Sequence, residues 1–544
     1  MKKIFYISIT ILLLFSATGC ESFFNPDSDL TLSEKDYVGD YTELYSGFMG
    51  IAGAVRNVSD KSIYLEGLRG DFLEPTENAT REVWDIYNYA DNLQGNTLAN
   101  PKDYYNVILN CNDYIDHVFK YKEKNPTSLT TENYNGLIGG ALRFKAWAYL
   151  MLAKIYGEAI YFDEPLTQYQ DVSKFPKLSY DEIIEKCRLL IEVGTNNVNG
   201  KGMIRWSVQL FPGQADSPEN LEWNRICPTP ESLLAEIYLN QNNYQKAWEN
   251  CVSLIRQGGD EASFQLNLSE YNGEWIKFFA ESYARKEEVT VAFFDYTLNQ
   301  ENQILNYFSN TQPNSYIMRP SQVAMNKFNN QLTSGGLVGD KYRGNNITFK
   351  FLNNNWVFYK YIAAYETTNS AYKTVKQISL CRASQIHLFL VESLIGLGRF
   401  EEALAFLNDG VGAYYNSVQG KFLPPFDQYP SSLYVTSSTG DKANRGIRGR
   451  VDLSKAGESV IKNPNSDINV DKRYLDSLVV VESTLELAGE SSGYYAMIRN
   501  SKRWGSSMQK SWANKIAAKY KDGSAIKGKL ESDISNWFIK YDLK

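Results

Sequence analysis

Residues 230–256 read PESLLAEIYLNQNNYQKAWENCVSLIR. Apolar side chains recur at helical spacing on both sides of a short polar turn, so the segment is a helical hairpin. Ala235 and Ala247 are small, which lets the two helices approach closely. Tyr238 lies on the first helix, and Tyr244 packs the turn.

These four positions match the spacing of a tetratricopeptide repeat. The same shape returns at Leu380–Tyr414, where Gly398, Phe400 and Ala403 take the corresponding turn and second-helix places. The two hairpins are far apart in the chain, so a simple tandem solenoid is excluded. The expected fold is mainly α: tetratricopeptide-like helical hairpins with large loop-rich insertions and a small β-hairpin region.

Outward from the hairpins, more helices are legible. Ser33 opens one, with Asp36 in a capping-box-like position, and Leu44, Phe48, Ile51 and Val55 form its stripe. Pro101 suits a first turn, followed by Val107, Ile108, Cys111 and Ile115. A longer helix runs from about Leu129 to Tyr156 and stops at Gly157. Ser179 and Glu182 form a capping box for the next. Two irregular excursions, Gly67–Pro101 and Asn196–Pro228, carry aromatics, and long loops of this kind are more often functional than connective.

One insertion reads as β. Glu288–Phe293 alternates with period two, as do Ile347, Phe349 and Phe351. Asn353–Asn355 then turns the chain into Trp356–Tyr359, which predicts a hairpin joined by the Glu288 strand. Met318–Ser321 is expected to start a short helix, and Asn416–Val470 to form long surface loops. Helical patterning returns from Asp471 to Trp504.

The N-terminus has its own chemistry. Two lysines precede a mostly apolar run, Ile4–Phe15, the n- and h-regions of a secretory signal. A permanent span needs roughly 20 residues, more than this run supplies. Ala17-Thr18-Gly19-Cys20 resembles a bacterial lipobox, which makes Cys20 the expected lipidated residue. Multiple acylation anchors stably where a single chain does not. The expected organisation is therefore a signal peptide over 1–19, a lipidated tether over 20–32 and one domain over 33–544.

Composition narrows the function classes. The formal net charge is −7, which provides no footprint for nucleic acid. The two histidines, His117 and His387, lie far apart on patterned helices, so neither zinc nor histidine catalysis is expected. Past Cys20 the cysteines are Cys111, Cys187, Cys227, Cys251 and Cys381, and an odd number cannot form a complete disulfide framework. All but Cys227 are expected on apolar helix faces. No phosphate loop, nucleophile elbow or zinc-helix motif occurs, and no cofactor is implied. Glu482, Glu486 and Glu490 lie four apart on one helical face. Paired carboxylates can hydrolyse glycosides. On a helix they read instead as a solvated face or as partners of Arg499 and Arg503. The basic run Arg445–Arg450 reads as a mobile surface loop.

Several stretches in a fixed order resemble the SusD/RagB family, outer-membrane nutrient-binding lipoproteins of Bacteroidetes. They are the lipobox and tether; Ala141–Gly157, a helix of alternating small and aromatic residues; Leu234–Leu239 with Tyr244 and Ala247; Arg382–Asn408; and Glu482–Gly505. The chain departs from the family pattern at Ser491–Gly493 and Ala496. The resemblance implies a helical body with a loop-rich ligand face, anchored to the outer membrane and facing the exterior. It also implies a partner, a SusC-like TonB-dependent transporter that receives a glycan or, in some branches, a peptide. A tetratricopeptide-type adaptor or structural surface protein is the reading from a different class.

A glycan site needs flat aromatic platforms with amides, carboxylates or arginines at the rim, because a pyranose has an apolar C–H face and polar edges. Aromatics make up 14% of the chain, enough for such platforms besides the core. Arg81, Trp84, Tyr87, Asn88 and Tyr89 cluster in one excursion and are the first candidates. Trp206 and Trp223 come second, and Tyr296 and Tyr316 third.

Overall fold

In the computed structural model the described residues are 39–166, 172–206, 224–257, 264, 266, 279, 287–366, 375–434 and 444–543. The signal, Cys20, the tether and the expected helix start at Ser33 lie outside them. Helix α1 (Tyr41–Val58) is capped instead by a box formed by Asp40 and Glu43. Then follow α2 (Lys61–Arg69), β1 (Leu73–Pro75), α3 (Arg81–Tyr87), α4 (Lys102–Lys124) and α5 (Thr131–Tyr156). Gly157 ends α5 at φ +74°, the left-handed cap that glycine adopts without penalty. Next come β2 (Glu158–Ile160), β3 (Lys177–Ser179) and α6 (Tyr180–Glu192), which the Ser179–Glu182 capping box opens.

The decisive hairpin is α7 (Pro230–Asn240) and α8 (Tyr244–Gln257). An insertion follows, with β4 (Glu288–Phe293), α9 (Ile304–Phe308), β5 (Met318–Pro320), α10 (Gln322–Asn329), β6 (Phe349–Leu352), β7 (Asn355–Phe358) and β8 (Gln377–Arg382). The second hairpin is α11 (Ala383–Leu397) and α12 (Phe400–Leu407), turned by Gly398 at φ +77°. A short ribbon, β9 (Tyr415–Asn416) and β10 (Lys421–Phe422), precedes α13 (Ile468–Glu486), α14 (Gly493–Trp504), α15 (Ser506–Ala517) and α16 (Ser524–Ser532).

Successive helices pack into one stack: α1 on α4, α4 on α5, then α6, α7, α8, α11, α13, α14, α15 and α16. The two hairpins, remote in sequence, are neighbours in space, because α8 lies against α11. Tyr244 presses its ring onto Gly396, where an added Cβ would stand 2.2 Å from a ring carbon. The chain end closes back on the start. Arg69 donates to the carbonyls of Asn536 and Phe538, both at 2.9 Å. Trp537, Phe538 and Ile539 are buried.

Each strand pair among the described residues is antiparallel and two-stranded. The β6–β7 hairpin forms as expected, turned by Asn353 and Asn354 at positive φ. Five expectations are corrected. The Glu288 strand does not join that hairpin but pairs with β8, next to the helix it precedes. Met318–Pro320 is a strand that pairs with Leu73–Pro75, and the helix starts at Gln322 under a Ser321 cap. The Gly67–Pro101 excursion holds β1 and α3. Asn416–Val470 is not wholly surface loop, because Ile447, Arg448, Arg450, Val451 and Leu453 are buried. The cysteines of the described residues are unpaired; Cys381 lies on β8 rather than on a helix.

The contact between the hairpins yields a test. Gly396→Ala is expected to destabilise the protein by about 1–3 kcal/mol, the usual range for overpacking. Urea denaturation would read this as a lower midpoint at unchanged slope. An unchanged midpoint would show that the Tyr244 ring has room to withdraw.

Candidate ligand-binding face

The first-choice candidates lie on or just after α3, a helix seated on β1 and α2. Trp84 is 40% exposed, and Arg81 and Asn88 also face solvent. Arg81 forms an open ion pair with Asp85 one turn on, at 3.5 Å. Trp84 meets Tyr87 edge to face at 5.7 Å. Tyr87 itself is buried, tilted against Tyr520 at 4.6 Å under the Lys519 ammonium. Tyr89 turns inward at φ +56° and is only 1% exposed, with the Arg69 guanidinium 3.6 Å over its ring. Tyr87 and Tyr89 therefore support this face from beneath and offer no open ring.

The β1–β5 ladder brings Tyr316 to the same place. Thr76 donates its hydroxyl to the Tyr316 carbonyl, and Asn78 donates to the Ser315 carbonyl at 3.2 Å. Arg319 bridges β5 to Glu74 on β1 at 2.8 Å. The Tyr316 ring is buried, and its hydroxyl donates to the Trp356 carbonyl at 2.6 Å. Burial, then Glu77 and Glu74, push that hydroxyl up to about 12 against the pull of Arg319. Burial and Glu74 also raise the Tyr87 hydroxyl, again opposed by Arg319. Tyr87, Tyr316, Glu74 and Arg319 thus share one local field.

Two aromatics that the sequence reading did not single out lie on the neighbouring hairpin. Phe351 is 54% exposed, and Trp356 is its partner across the β6–β7 hairpin at 5.4 Å. The available signal was the Asn353–Asn354 turn, which sets these two rings opposite each other. The hairpin is adjacent to β5.

The other candidates lie elsewhere. Trp206 packs on Tyr45 and Phe48 and donates its indole N–H to Asn224 at 3.0 Å. Tyr296 belongs to the single turn Tyr296–Leu298. Trp223 and the Tyr296 side chain are outside the described residues.

The three spaced glutamates have a different fate from either expectation. Glu482, Glu486 and Glu490 are buried, and so are their partners. Arg343 donates to Glu482 at 2.7 Å and to Glu486 at 2.9 Å. Arg448 donates to Glu482 at 2.6 Å. Arg450 donates to Glu486 at 2.5 Å, and Arg382 to Glu486 at 2.9 Å and Glu490 at 2.6 Å. Arg450 and Arg382 also hold Glu287, and Lys360 holds Glu490. The basic run is therefore no mobile surface loop, since two of its arginines lie in this cluster. Arg499 and Arg503, the expected partners, hold Glu392 instead. Burial alone would raise the Glu482 carboxyl, but Arg343 and Arg448 pull it below the usual range. Every carboxylate is matched by cations and buried, and the cavity beside Glu490, about 40 Å³, is too small for a sugar.

It does position the candidate face. Arg343 precedes the β6–β7 hairpin and Lys360 follows it, so both ends are tied to α13 or the turn after it. Gly489, at φ +72°, lies so close to Phe358 that a Cβ would stand 2.3 Å from its ring.

The histidines are structural. His117 meets the Asp113 carbonyl at 2.8 Å on its own helix. His387 is buried at the Phe264 carbonyl, and burial pushes its imidazole down to about 4. No group of metal-ligating side chains occurs among the described residues.

No protein-family model matches the chain. A SusD-like protein of Formosa agariphila is 21% identical over 330 residues, a match that spans 57% of this chain and 57% of that protein. A SusD superfamily protein of Bacteroides thetaiotaomicron superposes with a TM-score of 0.58, covering 94% of this chain and 99% of that one at 16% identity. A laminarin-binding SusD-like protein superposes with a TM-score of 0.56, covering 90% and 96% at 12% identity. The SusD-like resemblance carried by the sequence motifs holds, and the chain shares its overall fold with these SusD-superfamily structures.

Glu486 tests the role assigned to the cluster. Glu486→Gln leaves buried guanidinium groups short of a counter-charge and is expected to cost about 3–5 kcal/mol of stability. Thermal unfolding would register this. A variant as stable as the parent would mean that water already reaches the cluster.

Proposed function

From the SusD-superfamily fold of this chain, we propose that it is a cell-surface glycan-binding lipoprotein. It captures oligosaccharides and delivers them to a partner TonB-dependent outer-membrane transporter, and it catalyses nothing. The observation that carries this reading is the half-open Trp84 ring, set on a rigid base of Tyr87 and Tyr520 beside Arg81 and Asn88. A sugar's C–H face stacks on the indole, while hydroxyls bond to the rim. Phe351 and Trp356 extend the apolar surface, and Glu74, Asn78 and Arg319 supply polar contacts. The laminarin-binding relative supports a glycan as the ligand class.

Localisation follows from the Cys20 lipobox. No helix among the described residues is long and apolar enough to cross a membrane, which agrees with an anchor made of lipid. A tether of about a dozen residues reaches at most roughly 40 Å. The body therefore stays close to its barrel and can still swing as a lid.

Two outcomes are expected. In titration calorimetry of the protein lacking residues 1–20, Trp84→Ala should weaken oligosaccharide binding about tenfold, or about 1.4 kcal/mol. Unchanged affinity would remove Trp84 from the site, and binding of peptides but no sugar would overturn the glycan reading. In cells, Cys20→Ala should release the protein from the membrane fraction and impair uptake. Normal uptake by that variant would contradict the lid.

A further inference from the structure

The charges around Trp84 separate glycans by class. The segments that build the face are 73–88, 315–320 and the 349–358 hairpin. Their cations are Arg81, Arg319 and Lys350. Each is already engaged. Arg319 is bound to Glu74 at 2.8 Å, and Arg81 to Asp85 at 3.5 Å. Lys350 leans over the Tyr359 ring, 4.6 Å from its centroid, and donates to that hydroxyl at 3.4 Å. It leaves its strand on the side opposite Phe351, because successive residues of a strand alternate. The nearest cation below, Lys519, gives its ammonium to the carbonyls of Leu68, Gly70 and Leu73.

The carboxylates are not all matched. Glu82 is turned to the backbone and hydroxyl of Thr97. Glu77 is exposed and forms no ion pair within 4 Å among the described residues, although its charge also acts on Arg319. It lies between Thr76 and Asn78, which both bond to the Ser315–Tyr316 backbone, and it acts on the same Tyr316 hydroxyl as Glu74 and Arg319. A sulfate or uronate arriving at Trp84 would have to displace a carboxylate from an arginine and approach Glu77 as well. A neutral sugar meets carboxylate acceptors and arginine donors that suit hydroxyl groups. The whole chain, at net −7, adds a repulsion of the same sign.

Resting on the glycan reading above, we infer that the Trp84 face selects neutral oligosaccharides and rejects sulfated and uronate-rich ones. The selectivity is a negative one, set by like charge rather than by an added contact.

The test uses the protein lacking residues 1–20 and a panel of neutral, sulfated and uronate-containing oligosaccharides of matched length. At low salt, neutral members should bind at least about tenfold more tightly than the anionic ones. The gap should narrow by 0.5 M salt, as about a tenth of a molar already screens exposed charges beyond roughly 10 Å. The double variant Glu77→Gln/Asp85→Asn removes one repulsion and frees Arg81 from its ion pair. The ratio of anionic to neutral affinity should then rise about fivefold or more. Both positions are at the surface, so the variant should fold, and unchanged thermal unfolding would establish it. Anionic glycans that bind as tightly as neutral ones, or a ratio unmoved in the double variant, would overturn the selectivity while leaving glycan binding intact. Failure of every glycan, neutral and anionic, would overturn the glycan reading and this inference with it.

Discussion

Arg382, Arg450 and Arg343 converge on Glu486 in a space closed to water. Taking an ion out of water costs several kcal/mol even after the protein relaxes, and only a nearly complete set of partners offsets it. The groups come from segments that the chain connects only through long detours: Glu287 before β4, Arg343 and Lys360 on either side of a hairpin, Arg382 at the end of β8, Arg448 and Arg450 in a loop, and the glutamates of α13 and its following turn. A register error in any one strands a charge. We regard the cluster as the device that gives the large insertion a single place on the helical stack, a role beyond net stability. The ligand face inherits that placement, since the Phe351–Trp356 hairpin is tied down at both ends and Tyr316 is bonded to it.

The helical stack itself depends on size rather than charge. Alanines 235 and 247 were readable in the sequence at tetratricopeptide spacing, whereas Gly396, on which the Tyr244 ring packs, was not singled out there. The capping box at Ser179 and the stop at Gly157 were readable for the same reason, being local chemistry. Pairing between distant strands was not. Nothing in Glu288–Phe293 names Gln377–Arg382 as its partner, and Met318–Pro320 is a strand only because Leu73–Pro75 lies beside it. The glutamates of α13 could be placed on one helical face. Whether that face met water or arginines depended on residues 34 to 143 positions away in the chain.

The ligand face shows the same division. Trp84, Arg81 and Asn88 are near in sequence and open in space. Tyr89 shares their neighbourhood in the chain but is carried into the core by a positive φ and the attraction of Arg69. Phe351 and Trp356 belong with Trp84 only through the β1–β5 ladder and its contact with β7, a juxtaposition no local pattern announces. Buried Tyr87, packed on half-buried Tyr520, lies beneath the exposed indole and gives that platform a fixed base, so little ordering is needed when a ring stacks on it.

The proposed capture site is the Trp84 surface of α3, beside the β1–β5 ladder. A crystal structure with an oligosaccharide bound to the protein lacking residues 1–20 tests it most directly. The account predicts a sugar ring stacked on Trp84, with hydroxyls in reach of Asn88, Arg81 or Glu74. Density for the sugar instead in the polar groove of Asn240, Asn242, Lys502 and Gln509 at the α7–α8 turn, with Trp84 bare, would contradict it.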